Sequence, residues 1–493
     1  MSPWDSPDIW SWLHKLPPLD AWKTNSMSIP ICSPDSAQPN LNLSISQNLQ
    51  SSSFIFSVYI DFNLPISLWT SKPFELKSET IELADTVLIP SVLTNLVQDV
   101  LRYGAIKSSA LELPTQESLH DYQAAFNLAF ISLTFLVCIY EAPADLRPTF
   151  LYDLKAQLSS PESREALKQL MKLLGSNLEE QWMKSINLGI TNWIANLEAS
   201  NNENQIPPAL FSHSLSTSGL WKVQLYCPLA ALEAENTTNH SADPKLNFSL
   251  NYHQLEGVLQ FNYQVAMQET WIDVKVKIDN IRFDVTRLID ETLMNDQGVG
   301  ASEKHFPSRI SLQLTPTLQT EVLSVSVSKS SENPSKEIGL EKSIEAGLDI
   351  PTSLGLKISA GENTTVSLKP WKFEESVSGN SANLNWYLHD AGDGREVASS
   401  KPSKFSLMHP NAWFKDRYSS PYRPFTRQGG IVFAGDEYGE SVWWKMDKSA
   451  AGKTMVWEMR GWVWLTYWPN KHKTFYNENR RLEFSETLHL TLS

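Results

Sequence analysis

The side chains best suited to acid–base chemistry lie in the last quarter of the chain, within residues 389–438. They are Asp416, Asp436, Glu437 and His389 as candidate general acids or bases, and Tyr418, Tyr438 and Arg417 as candidate donors to an oxyanion or carbonyl oxygen. Burial beside aromatic rings raises the pKa of a carboxyl group toward neutrality, which a general acid requires. This set predicts a cofactor-independent isomerase, cyclase or lyase that moves protons on a small, largely apolar metabolite.

Tryptophans supply the walls of a pocket for such a substrate. The chain has 18 Trp, and nine of them fall within residues 371–468. Trp443, Trp444, Trp462 and Trp464 are predicted to bind the substrate. The same residue types also build scaffolds, because a planar guanidinium stacks on Trp rings and forks onto carboxylates.

Known cofactor motifs are absent from the sequence. It contains no GxxxxGK[ST] phosphate loop and no GxGxxG after a strand, which argues against nucleotide chemistry. The ten His show no HxH or HExxH spacing, so local ligands do not build a metal site. No GxSxG elbow is present either. We therefore expect no cofactor and no metal.

The charge balance narrows the range of partners. The formal net charge is −14, and residues 1–370 carry the acidic excess. That charge disfavours nucleic acid and anionic membrane surfaces as partners. A small-molecule ligand or substrate remains the expected partner, and the oligomeric state is open. Three widely spaced Cys and an N-terminus without a basic, apolar leader pattern favour a cytoplasmic location.

One apolar stretch raises the question of a membrane span. Tyr122–Tyr140 contains no formally charged residue and nearly reaches the length that a bilayer requires. Gln123, Asn127, Ser132 and Thr134 interrupt it, however, and neither flank is basic. The segment is therefore predicted to be a buried core helix, with no integral membrane span.

Changes in hydrophobic period divide the chain into three regions. Residues 1–200 combine a Trp-containing arm, short strands and a helical block. In that block Ser160 and Pro161 predict a helix start, and Gly175 predicts a break. The linker composition of Asn201–Pro208 marks a boundary. Residues 209–369 then read as antiparallel strands, and residues 370–493 as a Trp-rich β region continuous with them.

The clearest strand is Trp271–Asp279, where apolar residues alternate with charged ones. The apolar positions change phase after it, which predicts a bulge or turn near Asn280. Strands without intervening helices are typical of an antiparallel sandwich or barrel. The predicted fold class is α+β, with a helical N-terminal region packed against a large antiparallel β-sandwich or barrel region.

The C-terminal region resembles an uncharacterised family of land-plant proteins. The strings that carry this resemblance are PWKFEESVSGNSANLNWYLHD (Pro370–Asp390), WFKDRYSSPYRPFTRQGG (Trp413–Gly430) and GWVWLTYWPNKHKTFYNENRRLEF (Gly461–Phe484). The resemblance implies a plant intracellular protein, and it brings no activity and no site residues. The chain departs from the family pattern at Asn477 and Asn479, where Thr is usual, which suggests a diverged member with a specialised role.

Non-enzymatic binding is the alternative to catalysis. Trp and Tyr rings would then stack on sugars, as in a lectin, or on a partner chain. A pore-forming protein is a remote third possibility, because Glu341–Leu368 is rich in Ser and Thr with loose alternation. Pro351 and six charged residues within that stretch argue against it.

Overall fold

The computed structural model describes most of the chain. It covers residues 7–17, 21–22, 24–33, 38–48, 53–75, 88–104, 120–199, 212–235, 244–290, 305–328, 336–342, 362–368, 371–388, 430–434, 440–467 and 478–493. Helices concentrate in the N-terminal part and strands in the rest, so the α+β prediction is confirmed.

The N-terminal unit combines a five-stranded antiparallel sheet with five helices. Its elements are α1 (Ile9–His14), β1 (Ser26–Cys32), β2 (Leu41–Asn48), β3 (Ser53–Ile60), β4 (Ile66–Thr70), β5 (Phe74–Glu75), α2 (Leu88–Arg102), α3 (His120–Glu141), α4 (Arg147–Leu158) and α5 (Pro161–Ala199). The strand order is β1-β2-β3-β4, and β5 also pairs with β3. One hydrophobic core joins the sheet to the helices.

Helix α3 is apolar around most of its circumference and lies at the centre of this unit. Among the described helices, only this one is long and apolar enough to cross a membrane, over Tyr122–Glu141. Of its 18 most apolar consecutive residues, 83% are buried inside the protein. A helix that is hydrophobic all round needs neighbours on every side, and α2, α4 and α5 provide them. The predicted core helix is therefore confirmed.

The longest helix, α5, begins and bends where the sequence indicates. The hydroxyl of Ser160 accepts a hydrogen bond from the backbone N–H of Ser163 at 3.1 Å, as expected for an N-cap. Gly175 adopts φ +70° and ψ 167° inside the helix. This backbone conformation is open almost only to glycine, and it divides α5 into two helical segments.

The remaining elements form a β-rich unit. They are β6 (Ser212–Thr217), β7 (Leu220–Pro228), β8 (Glu233–Ala234), α6 (Pro244–Tyr252), β9 (His253–Met267), β10 (Trp271–Arg287), β11 (Phe306–Pro316), β12 (Val322–Ser328), β13 (Lys336–Lys342), β14 (Glu362–Leu368), β15 (Trp371–Ser378), β16 (Ser381–Leu388), β17 (Gly430–Ala434), β18 (Ser441–Asp447), β19 (Thr454–Tyr467) and β20 (Glu478–Thr491). The strand pairs of this unit are antiparallel.

Two sheets pack face to face and form a β-sandwich. The first has the order β12-β18-β10-β9-β7-β6, with β17 also paired to β10, and the second has the order β15-β16-β11-β19-β20-β8. Their inner faces share one core, whose largest side chains are Trp221, Trp386, Trp444 and Trp457. Strands β13 and β14 pair with each other as a separate two-stranded sheet.

Strand β10 contains the predicted change of phase. Its pairing with β9 shifts register between Ile278 and Asn280, so Asp279 forms a bulge. Ile272 and Val276 before the bulge and Ile281 and Phe283 after it are all buried. The bulge therefore keeps one strand facing the same core over its whole length.

Several elements differ from the expectations or lie outside the described residues. The N-terminal arm contains a short helix, α1, in which Trp10 packs edge-on against Phe126 of α3 with ring centroids 5.5 Å apart. Helices α4 and α6 were not predicted. The Asn201–Pro208 linker is among the residues that are not described.

Candidate functional site

The predicted acid–base residues cannot be placed. Asp416, Asp436, Glu437, His389, Tyr418, Tyr438 and Arg417 all lie outside the described residues. Their catalytic role therefore stays a prediction. Turnover of a metabolite by the Asp436→Asn and Glu437→Gln variants tests it, and unchanged turnover in both variants would contradict the assignment.

The four predicted pocket tryptophans lie in three different places: one in the core, one on the outer face of the first sheet and two on the outer face of the second sheet. Trp444 is fully buried between the two sheets, where its indole N–H donates to the carbonyl of Asn380 at 3.0 Å. Trp443 lies on the outer face of the first sheet and is 37% exposed, with the Lys275 ammonium 4.6 Å from its ring centroid. Trp462 and Trp464 occupy alternate positions of β19 that face away from the core. Only the last two share a surface.

That surface, the outer face of the six-stranded sheet, carries a transverse row of aromatic and charged side chains. The row runs Tyr387 (β16), Arg309 (β11), Trp464 (β19), Arg481 (β20) and Glu233 (β8), each residue pairing with the next in the strand register. Cations alternate with rings along it. Directly opposed side chains of neighbouring strands are close enough to interact. Contacts are seen between Arg309 and both of its neighbouring rings, and between Arg481 and Glu233.

Arg309 is held between two aromatic rings. Its Cζ atom lies 4.3 Å from the Trp464 ring centroid and 4.9 Å from that of Tyr387. Each such contact contributes roughly 0.5–1 kcal/mol at an exposed site. Trp464 is in turn fixed by its indole N–H, which donates to Glu235 at 2.6 Å. The guanidinium plane of Arg309 is therefore fixed before any ligand arrives.

Trp462 differs from its neighbour because, within the described residues, it makes no hydrogen bond, ion pair or ring contact. It is half-buried and pairs in register with Ser311 on one side and Glu483 on the other. The Ser311 hydroxyl donates to Asn385 on the next strand at 2.6 Å. Trp462 thus lies in a transverse row with hydroxyl, amide and carboxylate groups that suit hydrogen bonding to a ligand.

A buried polar cluster lies at the junction of α6, β11 and β20. The Ser249 hydroxyl is 3.2 Å from Nδ1 of His305, whose Nε2 is 4.0 Å from Oε1 of Glu478. Arg480 also binds Glu478. Burial, together with the charge of Arg480 and the nearby His253, holds the pKa of His305 well below its usual range.

The order serine, histidine and carboxylate in this cluster matches that of a hydrolytic triad. Ser249 and His305 are fully buried, however, so a substrate does not reach the hydroxyl. We therefore interpret the cluster as a structural element of the core, in which Ser249 and His305 form a hydrogen bond and Glu478 binds Arg480. Sequence reasoning missed it because its members are distant in the chain and match no local motif.

A second buried cluster joins the helical unit to the sandwich. Glu179 of α5 accepts a hydrogen bond from the Tyr226 hydroxyl at 2.9 Å, and Nε2 of His213 lies 3.5 Å from the same carboxylate oxygen. Burial raises the pKa of Glu179 to about 6 and lowers the pKa of His213 to about 4. Desolvation is the largest cause of both pKa shifts, so each group is shifted toward its neutral form.

Metal and thiol chemistry find no support in the described part of the chain. Within it, no group of three or more His, Cys, Asp or Glu side chains could hold a metal ion. Cys32, Cys138 and Cys227 are buried free thiols, and burial raises the pKa of each. A thiol that resists deprotonation is a poor nucleophile.

Comparison with known proteins identifies no family. No protein-family model and no curated protein matches the chain. Among solved structures, Clostridium perfringens delta-toxin is similar with a TM-score of 0.23 and 11% identity, covering 57% of this chain and 100% of its own. The membrane-inserted form of Clostridium perfringens NetB toxin gives 0.18 and 12%, covering 57% of this chain and 93% of its own. A pore forming protein gives 0.18 and 9%, covering 57% and 94%. TM-scores this low establish neither a shared fold nor a shared function.

Proposed function

We propose that this chain is a non-enzymatic carbohydrate-binding protein whose ligand lies on the outer face of the six-stranded sheet. The proposal rests on the Trp462 ring, which makes no hydrogen bond, ion pair or ring contact with the described residues. The apolar C–H face of a sugar packs on an indole ring, and its hydroxyls need polar partners beside that ring. Ser311 and Glu483 supply such groups on the two strands beside β19, and Asn385 supplies one on the strand beyond Ser311.

The rigidity of this face also favours binding. The site is built on paired strands, and the row of Tyr387, Arg309 and Trp464 beside Trp462 is already packed. The protein therefore loses little conformational entropy when a ligand binds, which raises the affinity that a shallow surface can reach.

Glycan-array screening of the full-length protein, followed by titration calorimetry on the best ligand, tests this function. Trp462→Ala should weaken binding about 30-fold or more, the factor that corresponds to the ~2 kcal/mol of a hot-spot tryptophan. Trp443→Ala is the matched control, because it removes an exposed Trp from the outer face of the other sheet. Absence of glycan binding, or wild-type affinity in Trp462→Ala, would contradict the proposal.

A second candidate function, permeabilisation of a lipid membrane, is favoured by the pairing of β13 with β14. The register places Ile338 opposite Val366 and Glu337 opposite Ser367. In the sequence between Ile338 and Ala360, every even-numbered residue is apolar except Lys342 and Thr352, and every odd-numbered residue is polar, charged, Gly or Pro. A strand with this alternation separates an apolar from a polar face, as lipid contact requires. Strand β14 departs from the pattern at Glu362 and Thr364, which pair with Lys342 and Leu340.

Release of a dye from phosphatidylcholine vesicles tests this second function. Zwitterionic lipid is the appropriate target, because a net charge of −14 disfavours anionic surfaces. Ile338→Asp should abolish release, whereas Glu337→Gln at the neighbouring position should preserve it. If the wild-type protein releases no dye, or if Ile338→Asp releases it equally well, this function is rejected.

A further inference from the structure

We propose that the ligand on this face is an acidic glycan and that Arg309 recognises its carboxylate or sulfate group. The inference deepens the carbohydrate-binding function proposed above and depends on it. It concerns the class of sugar, which the tryptophans alone do not specify.

The three described arginines on this face differ in how their charges are paired. Arg481 binds Glu233 at 2.6 Å, and Arg460 binds Glu458 at 2.8 Å. Within the described residues, Arg309 has neither an ion pair nor a hydrogen bond, and its Nε atom is buried without a partner. Among the three described arginines of this face, Arg309 is therefore the one whose charge no described carboxylate compensates.

The geometry around Arg309 suits an acidic group on a bound sugar. Two rings fix the plane of the Arg309 guanidinium, and a fixed planar fork is the best protein group for binding a carboxylate or sulfate with two parallel hydrogen bonds. Arg309 pairs with Trp464, and Trp462 is two residues away on the same strand, so Arg309 and Trp462 are diagonal neighbours. Such neighbours lie about 7–8 Å apart. One sugar stacked on Trp462 can therefore place an acidic substituent at Arg309.

Two carboxylates near Arg309 limit the number of negative charges that a ligand can carry. Glu483 pairs in register with Trp462, and Glu235 accepts from the Trp464 indole. These groups can accept hydrogen bonds from sugar hydroxyls, but they would repel a dense run of negative charge. The face therefore fits a glycan with an isolated acidic group better than a polyanion such as a nucleic acid.

The experiment compares three oligosaccharides with the full-length protein by titration calorimetry. Each probe is an oligogalactose with at most one acidic group: the first carries a single terminal galacturonate residue, the second is the neutral methyl ester of the first, and the third carries a single sulfate group. We expect the wild type to bind at least one of the two acidic probes about tenfold or more tightly than the neutral ester, the gain of one charge-assisted fork. The two acidic probes distinguish carboxylate from sulfate as the recognised group.

Arg309→Gln should lose the acidic preference while retaining affinity for the neutral ester. Arg309→Lys, which keeps the charge without the fork, should retain part of the preference. Lys275→Gln, which removes a cation stacked on Trp443 of the other sheet, is the control and should bind like the wild type.

The outcomes separate the two proposals. Equal affinity of the wild type for acidic and neutral probes, or an acidic preference that survives in Arg309→Gln, overturns the role of Arg309 and leaves carbohydrate binding standing. If no glycan binds, the proposed function itself fails. Retention of neutral-ester binding in Arg309→Gln shows that the variant is folded.

Discussion

The two buried histidines with carboxylate neighbours are kept neutral by their surroundings. His305 lies 4.0 Å from Glu478 and His213 lies 3.5 Å from Glu179, yet burial lowers the pKa of both imidazoles. An imidazolium at either position would need compensation that a single nearby carboxylate does not provide. At neutral pH these side chains act as hydrogen-bonding groups rather than as members of ion pairs.

Gly461 shows how one missing side chain allows an aromatic ring to pack. It lies opposite Phe484 across strands β19 and β20, and a Cβ atom at this position would collide with the Phe484 ring. We expect Gly461→Ala to lower the free energy of unfolding by about 1–3 kcal/mol, the usual cost of overpacking a core. Urea denaturation measures this change.

The control for that substitution is Ser485→Ala on the neighbouring exposed position. It should change the free energy of unfolding by less than about 0.5 kcal/mol, as surface substitutions usually do. Equal stability of Gly461→Ala and the wild type would show that the ring of Phe484 can move aside at no cost.

Among the elements, α5 depends most on a single residue. Gly175 has φ +70° and ψ 167°, and nothing lies within 4 Å of the position that a Cβ atom would occupy. The penalty of Gly175→Ala is therefore conformational and not steric, and we expect about 1–3 kcal/mol. Thermal unfolding followed by circular dichroism measures it. Lys172→Ala, an exposed position of the same helix, should have no comparable effect.

The sequence predicts individual helices and strands better than it predicts which elements pack against one another. Alternation in Trp271–Asp279 and the change of phase after it predict strand β10 and its bulge, because each strand position reports which face it occupies. Helices α4 and α6 have twelve and nine residues. Such short helices offer few periodic positions and depend on packing, so pattern reasoning missed them.

The candidate site is less predictable because it depends on strand pairing. Alternation in β19 separates Trp462 and Trp464 from the inward residues, but it cannot show that Arg309 is the cross-strand partner of Trp464. Nor does it show that Trp443 and Trp444 point to opposite sides of β18 with one of them in the sandwich core. Such relations arise from sheet topology, which non-local contacts determine.

At the scale of the whole molecule, polar contacts join two separate hydrophobic cores. Tyr226 extends from β7 into the core of the helical unit, and its hydroxyl donates to Glu179. Asn187 of α5 donates to Gln254 of β9 at 2.8 Å. The helical unit and the sandwich therefore meet through a buried polar surface centred on α5, β7 and β9.

This surface should make stability depend on pH in two opposing ways. Between pH 6.5 and 4 the unfolded chain protonates His213 while the folded chain does not, so acid removes up to about 3 kcal/mol of stability. Glu179 acts oppositely, because its raised pKa lets the folded chain bind a proton first between pH 6 and 4.5. The wild type should therefore lose little stability from this pair across that narrower window.

Two variants separate these contributions in urea denaturation at pH 7, 5.5 and 4. Glu179→Gln should lose stability steadily as the pH falls from 6.5 to 4, because only His213 remains. His213→Asn should gain stability relative to its own value at pH 7 as the pH falls from 6 to 4.5. Parallel pH profiles for the wild type and both variants would rule out the assigned protonation states.

The reactivity of the three buried thiols can report unfolding of the core around each of them. Cys32 and Cys138 lie in the core of the helical unit, whereas Cys227 lies in the core of the sandwich. Because burial raises the pKa of each thiol, alkylation by iodoacetamide requires that the surrounding core opens. Peptide mass spectrometry after timed alkylation would therefore give a separate opening rate for each unit, without any engineered label.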